Sequence, residues 1–211
     1  NHIELNNEVT KRKDNGFFDL EKDQEALKVY LEEIHDKMIS FDDEIERLHY
    51  LVDNNFYFNV FEKYSEAELS EITEYAKSIH FQFASYMSAS KFYKDYALKT
   101  NDKTKFLEDY NQHVAIVALY LANGNVKQAK QFISAMVEQR YQPATPTFLN
   151  AGRARRGELV SCFLLEIDDS LNSINFIDST AKQLSKIGGG VAINLSKLRA
   201  RGEAIKGIKI G

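Results

Sequence analysis

The sequence predicts an α+β chain: an all-α domain over residues 1–145, followed by the opening strand–helix–strand portion of an α/β domain over 146–211. Three observations carry this. Apolar residues recur at helical spacing through the first two thirds of the chain. Both prolines, Pro143 and Pro146, and eight of the ten glycines lie at or beyond position 143, and a shift marked by Pro and Gly is a boundary signal. Beyond it, two short apolar runs flank one amphipathic helix, which is the pattern of a βαβ unit.

Taken in order, Glu21 to Ser40 reads as a helix carrying Leu27, Val29, Tyr30, Leu31, Ile34 and Met38. Phe41 to Val52 follows, with Ile45, Leu48 and Leu51 on one face. Ser65 and Glu68 have the spacing of a capping box, in which hydroxyl and carboxylate satisfy amides that the first helical turn leaves unpaired. The spacing then continues through Leu69, Ile72 and Ala76. Aromatic-rich Phe83 to Leu98 and Thr104 to Asn123 are the next helices, the latter ending at Gly124. Asn125 caps a helix through Gln139 bearing Ala129, Phe132, Ile133 and Met136. Successive helices joined by short links make an α-helical domain.

Past the boundary, Leu159 to Ile167 is a continuous apolar run holding Cys162, the single cysteine of 211 residues. Such a run predicts a buried strand. Asp169 or Ser170 caps the following helix, which carries Leu171, Ile174, Ile177, Ala181, Leu184 and Ile187. Gly188-Gly189-Gly190 stops it, and Val191 to Leu195 is the second strand. Parallel strands need such crossovers, so an α/β sheet or barrel begins here.

Charge and composition exclude several functions. The formal net charge is −4, but from Lys182 onward seven bases face the single acid Glu203, a net of +6 that leaves −10 on residues 1–181. The eleven Tyr and fourteen Phe therefore fit a helical core better than a nucleic-acid platform, which needs a basic groove. No stretch approaches the length of a membrane span, and no secretory layout opens the chain. One thiol forms no internal disulfide, which fits the reducing cytoplasm. The five histidines show no HxxxH or HxH spacing and have no second cysteine, so no metal site is expected.

The chemistry-bearing residues stay ambiguous on spacing alone. Gly188-Gly189-Gly190 precedes a strand and is not GxGxxG, so neither a Rossmann nor a P-loop reading holds. Three glycines permit close backbone approach to a ligand or simply end a helix. The loop from Lys197 to Lys206 suits phosphate or is an ordinary charged surface. A lone Cys162 is a core thiol as readily as a reactive one.

Their order is more telling. Gln142-Pro143-Ala144-Thr145-Pro146-Thr147-Phe148-Leu149-Asn150-Ala151-Gly152, Leu159 to Leu165, Asp169-Ser170-Leu171 and Gly188 to Asn194 together closely resemble the large, catalytic subunit of ribonucleotide reductase. The resemblance is closest to class Ib, and it extends upstream through Tyr96 to Asp102 and Ala115 to Gly124. It covers essentially the whole chain but only the N-terminal part of that longer subunit, ending within the first portion of a ten-stranded α/β barrel. A class II or anaerobic reductase shares the barrel and the first cysteine, and its helical segment resembles this one less.

The resemblance implies roles. Cys162 corresponds to the first redox-active cysteine, which gives reducing equivalents to the ribonucleotide 2′-carbon. Thr145, Ser161, Gly189 and Gly190 correspond to the surroundings of the substrate, a ribonucleoside diphosphate. Asp169, Ser170 and Leu171, with Arg199 and Lys206, correspond to an allosteric specificity site for dNTP or ATP. The helix 170–187 corresponds to a homodimer interface. The resemblance also implies a small (beta) subunit whose di-metal centre, iron or manganese, supplies the radical through a tyrosyl, and a glutaredoxin- or thioredoxin-like reductant. No cofactor is expected to bind this chain directly. The second redox cysteine and the thiyl-radical cysteine lie further along in the family, so this polypeptide alone is expected not to reduce ribonucleotides. A partial ATP-cone in residues 1–60 is compatible with the sequence. The reading from a different class is a stand-alone effector-binding or helical interaction module without catalysis.

Overall fold

A computed structural model describes residues 1–155, 157–205 and 207. The chain forms two compact units, Asn1–Pro143 with Ala151–Arg155, and Ala144–Asn150 with the described residues of Arg156–Gly211.

The first unit holds seven α-helices: α1 (His2–Val9), α2 (Glu21–His35), α3 (Glu44–Asp53), α4 (Glu66–Ser78), α5 (Tyr86–Lys91), α6 (Tyr110–Ala122) and α7 (Val126–Val137). Its centre is α6, buried on nearly every side through Tyr110, His113 to Leu119 and Ala122. A helix apolar all round belongs in the middle of a core. Around it pack α7 through Ala129, Ile133 and Met136, and α4 through Leu69, Ile72 and Ala76. The capping box at Ser65 and Glu68 forms as its spacing predicts, and Asn125 caps α7.

Several helices are shorter than their periodicity suggests, because capping side chains interrupt apolar spacing that continues past them. Glu21 to Ser40 stops at His35, and the next helix starts at Glu44, where the Asp43 carboxylate accepts from the Glu46 amide at 2.8 Å. Thr104 to Asn123 starts only at Tyr110. There Asp109 and Gln112 form a second capping box, while Asp102 binds the Thr100 and Thr104 hydroxyls in a separate turn. In place of Phe83 to Leu98 stands α5, capped by Ser85, running into a π-helical turn over Phe92–Tyr96. The left-handed end of α6 begins one residue before Gly124, at Asn123 (φ 49°, ψ 47°). Helix α1 is additional to the sequence reading, and the His2 ring ties it to α2 by a 2.9 Å contact with Glu33 and an edge contact with Tyr30.

A buried polar group runs through this core. Glu108 is fully buried. Its Oε1 accepts from the Leu98 amide at 2.8 Å, lies 2.8 Å from His113 Nδ1 and 3.4 Å from Arg153 Nη2, and its Oε2 accepts from the Tyr57 hydroxyl at 3.0 Å. Burial by itself pushes this carboxyl up, but the charge and hydrogen bond of His113, with the Arg153 and Arg47 guanidiniums, outweigh it and hold Glu108 at about 2. Arg153 also donates to the Tyr96 carbonyl. The Phe58 amide binds the Gly152 carbonyl at 2.8 Å, and the Ala154 amide binds that of Phe56 at 3.0 Å. Residues 151–155 are thereby fixed in the first unit.

The second unit contains α8 (Thr145–Asn150), β1 (Cys162–Glu166), α9 (Leu171–Lys186) and β2 (Gly190–Asn194). Helix α8 is additional to the sequence reading, and its Pro146 sits in the first turn, where no amide is needed. The two strands pair in parallel with Cys162 opposite Gly190 and Glu166 opposite Asn194, the βαβ unit that the sequence predicts. Cys162 is exposed rather than buried. Burial alternates along β1, with Phe163 and Leu165 half-buried on one face and Cys162, Leu164 and Glu166 exposed on the other. The expectation of a buried strand fails here because, among the described residues, the sheet has two strands and α9 covers a single face of a βαβ unit.

Candidate active site and effector site

The N-terminal ends of β1 and β2 gather one group of site residues. The Gly190 amide donates to the Ser161 carbonyl at 2.8 Å, extending the ladder one step beyond Cys162. Ser161 Oγ lies 3.5 Å from Cys162 Sγ. Gly188 ends the preceding helix with φ +93°, a left-handed value that glycine adopts without penalty. Gly189 is required for space: a Cβ there would stand 2.1 Å from Cε2 and 2.4 Å from Cδ2 of Phe163. At Gly190 the nearest atom to such a Cβ is the Ser161 carbonyl oxygen at 3.5 Å, an ordinary contact. Gly189 thus brings the backbone against an aromatic ring adjacent in sequence to the thiol.

Thr145 opens α8, and two neighbours on that helix clasp the chain leading to β1. Thr147 donates its hydroxyl to the Leu159 carbonyl at 3.0 Å, and Asn150 Nδ2 donates to that of Glu158 at 3.2 Å. Thr147, Asn150 and Phe163 are absent from the sequence-derived site. Thr147 and Asn150 stand in the quoted Pro-rich segment, but their partners lie across a loop and have no local signature.

The other group lies at the C-terminal ends of the strands, about 13 Å away by the rise of four strand residues. Ser170 is the residue that caps α9, accepting from the Ser173 amide at 3.2 Å. Asp169 is free to pair instead, and its Oδ2 lies 2.7 Å from Arg199 Nε. Arg199 Nη1 also donates to the Ala204 carbonyl at 3.2 Å. Beside this pair, Lys197 Nζ lies 3.1 Å from both Glu166 Oε2 and Asp168 Oδ1. Hydrogen bonds to Glu166 and then Asp168 hold the lysine above its ordinary range. Leu171 is 71% exposed at the start of α9. Asp169, Ser170, Leu171 and Arg199 therefore come together as one cluster, and Lys206 lies outside the described residues. Lys197, which sequence reading treats only as part of a basic loop, is the cation held by two carboxylates.

Among the described residues no group of three or more His, Cys, Asp or Glu side chains is arranged to hold a metal ion, and no helix is long and apolar enough to cross a membrane.

Three family models match in succession: ribonucleotide reductase N-terminal over residues 2–81, ribonucleotide reductase all-alpha domain over 82–156, and ribonucleotide reductase barrel domain over 160–211. The chain is 53% identical over 209 residues to the ribonucleoside-diphosphate reductase subunit alpha of Bacillus subtilis, covering 98% of this chain and 30% of that protein. A subunit alpha from Bacillus phage SPbeta is 54% identical over 211 residues, 99% of this chain and 19% of the relative. The ribonucleoside-diphosphate reductase large subunit of Vaccinia virus is 28% identical over 151 residues, 71% of this chain and 18% of the relative. The chain thus spans less than a third of the length of these relatives. It belongs to the ribonucleotide reductase large-subunit family, matching the N-terminal, all-alpha and barrel domains in that order.

Proposed function

We propose that this chain is the N-terminal portion of a class Ib catalytic subunit that reduces ribonucleoside diphosphates to deoxyribonucleoside diphosphates in the cytoplasm. The observation that carries this reading is the pairing of Cys162 with Gly190 at one end of a parallel βαβ unit, with the Ser161 hydroxyl and the side-chain-free Gly189 alongside. In the reduction two thiols become a disulfide and the 2′-hydroxyl leaves as water, so two electrons and one proton pass to the product and the second proton leaves in the water. Cys162 supplies one of those thiols. The other must come from outside these 211 residues, since Cys162 is the only cysteine in them. Thr145 and Ser161 offer hydroxyls to the substrate, while Gly189 and Gly190 let the backbone approach its sugar.

The radical that starts the reaction belongs to the iron or manganese tyrosyl small subunit, and a glutaredoxin- or thioredoxin-like protein restores the thiols. The cluster of Asp169, Ser170, Leu171 and Arg199, with Lys206, is the dNTP or ATP specificity site: carboxylate for a ribose hydroxyl, cations for phosphates. Phe176 and the capping residue Ile187 remain 68% and 44% exposed on one side of α9, and Leu171 is 71% exposed at its start. Exposed apolar side chains on this helix suit a homodimer contact.

Replacing Cys162 by Ser in the native-length subunit, assayed with its small subunit and reductant, is expected to abolish deoxyribonucleotide formation while leaving effector binding intact. Turnover at the parental rate would refute the assignment of Cys162.

A further inference from the structure

We infer that Lys197 is a positioning residue of the effector site, holding Glu166 and Asp168 so that Arg199 has one carboxylate partner, Asp169, and the phosphate-facing loop stays cationic. The inference rests on the effector-site reading given above and adds a residue to it.

Three carboxylates, Glu166, Asp168 and Asp169, follow one another at the end of β1, and two cations, Lys197 and Arg199, answer them from the loop after β2. The turn Leu195–Leu198 places both cations. The Ser196 amide binds Asn194 Oδ1 at 3.0 Å and the Leu198 amide binds the Leu195 carbonyl at 3.0 Å. Lys197 and Arg199 are two residues apart, and each reaches back to the end of β1. Their partners are distinct. Lys197 takes Glu166 and Asp168, both at 3.1 Å, and Arg199 takes Asp169 at 2.7 Å.

Removing the lysine charge changes the cluster from a formal −1 to −2. Glu166 and Asp168 then compete with Asp169 for Arg199 and repel an incoming triphosphate. An effector whose ribose hydroxyl binds Asp169 and whose phosphate binds Arg199 must exchange with the Asp169–Arg199 pair. That exchange is feasible only if Arg199 is not also claimed by its other carboxylate neighbours. All of these groups are substantially exposed, so the effect is that of surface charge pairs, a few-fold rather than orders of magnitude, and it diminishes with salt.

The test is equilibrium binding of a dNTP to the native-length subunit carrying Lys197→Met, Lys197→Arg, and Lys197→Met combined with Glu166→Gln and Asp168→Asn. Lys197→Met is expected to weaken binding about fivefold at low ionic strength, with the difference shrinking as salt rises. Lys197→Arg is expected to bind like the parent, and the triple variant, whose cluster is formally neutral, at least as tightly as the parent. Unchanged binding by Lys197→Met would overturn the inference. So would a loss that the triple variant fails to repair, because the lysine would then be touching the nucleotide itself. Arg199→Met separates the two readings. If it leaves dNTP affinity unchanged, the effector-site reading has failed. If it weakens binding while Lys197→Met does not, only the positioning role has failed.

Discussion

Glu108→Gln is the most incisive perturbation of the helical unit, because the carboxylate is fully buried and four separate groups point at it. The substitution preserves volume and removes charge. One amide oxygen can still accept from the Leu98 amide, and the amide nitrogen can donate to the Tyr57 oxygen. What is lost is the compensation of Arg153, which is 16% exposed, and of the His113 ring. Breaking a buried pair by removing one partner costs about 3–5 kcal/mol. The pH dependence points the same way, because, despite burial, the His113 ring and the Arg153 and Arg47 guanidiniums hold the carboxyl below its ordinary range. The sign follows from the depression: the stabilisation is present above pH 4.5 and is lost as pH falls toward 2. Denaturant unfolding at pH 7 should therefore show Glu108→Gln less stable by about 3 kcal/mol, with Tm lower by about 6–12 °C. The gap should close as the pH falls below 4.5. In a double-mutant cycle with Arg153→Met the two losses should be non-additive by at least about 1 kcal/mol. A Glu108→Gln loss under about 1 kcal/mol at pH 7, or strict additivity with Arg153→Met, would refute the network as a source of stability.

Gly189→Ala is expected to destabilise the second unit by about 1–3 kcal/mol through overpacking against Phe163, seen as a lower unfolding midpoint. Phe163→Leu in the same chain should recover most of the loss, and a neutral Gly189→Ala would show that the ring moves aside freely. Ser65→Ala removes one arm of the capping box of α4 and should cost about 1 kcal/mol. Hydrogen exchange should locate that loss in the first turn of the helix, and unaltered exchange there would argue against the cap.

The parts of the fold legible in the sequence are those set by neighbours in the chain. Ser65 with Glu68, Asn125 and Ser170 act over three residues, and each caps the helix its spacing predicts. Helix lengths are less legible, since apolar periodicity continues across Asp43, Ser85 and Asp109 although their side chains begin new helices. The Glu108 network is not legible at all. Tyr57 lies 51 residues before Glu108 and Arg153 lies 45 after it, and no local pattern marks a tyrosine or arginine for a distant carboxylate. The site behaves likewise. Cys162, Gly189 and Gly190 are conspicuous as residue types, but only the parallel register sets the thiol opposite a glycine. Phe163 and Lys197 look ordinary until the ring is seen over Gly189 and the ammonium between two carboxylates.

The exposed thiol connects the failed burial expectation to the proposed chemistry. Strands of a sheet open to water on one face alternate apolar with polar, whereas strands covered on both faces are apolar throughout. β1 is of the second kind, since Leu164 follows Phe163 and precedes Leu165, yet Leu164 is 84% exposed. The face carrying Cys162 and Leu164 is therefore apolar until Glu166 at the strand's end and is uncovered among the described residues, while α9 packs on the strands. In a closed parallel barrel the crossover helices lie outside, and the strand face opposite them is the interior. The thiol sits on that interior-type face. Under the proposed function this is where a radical reaction needs it, because a closed interior excludes the water that would quench its intermediates. Under that reading the apolar Leu164 beside Cys162 suits an enclosed setting, which a two-stranded sheet by itself does not provide.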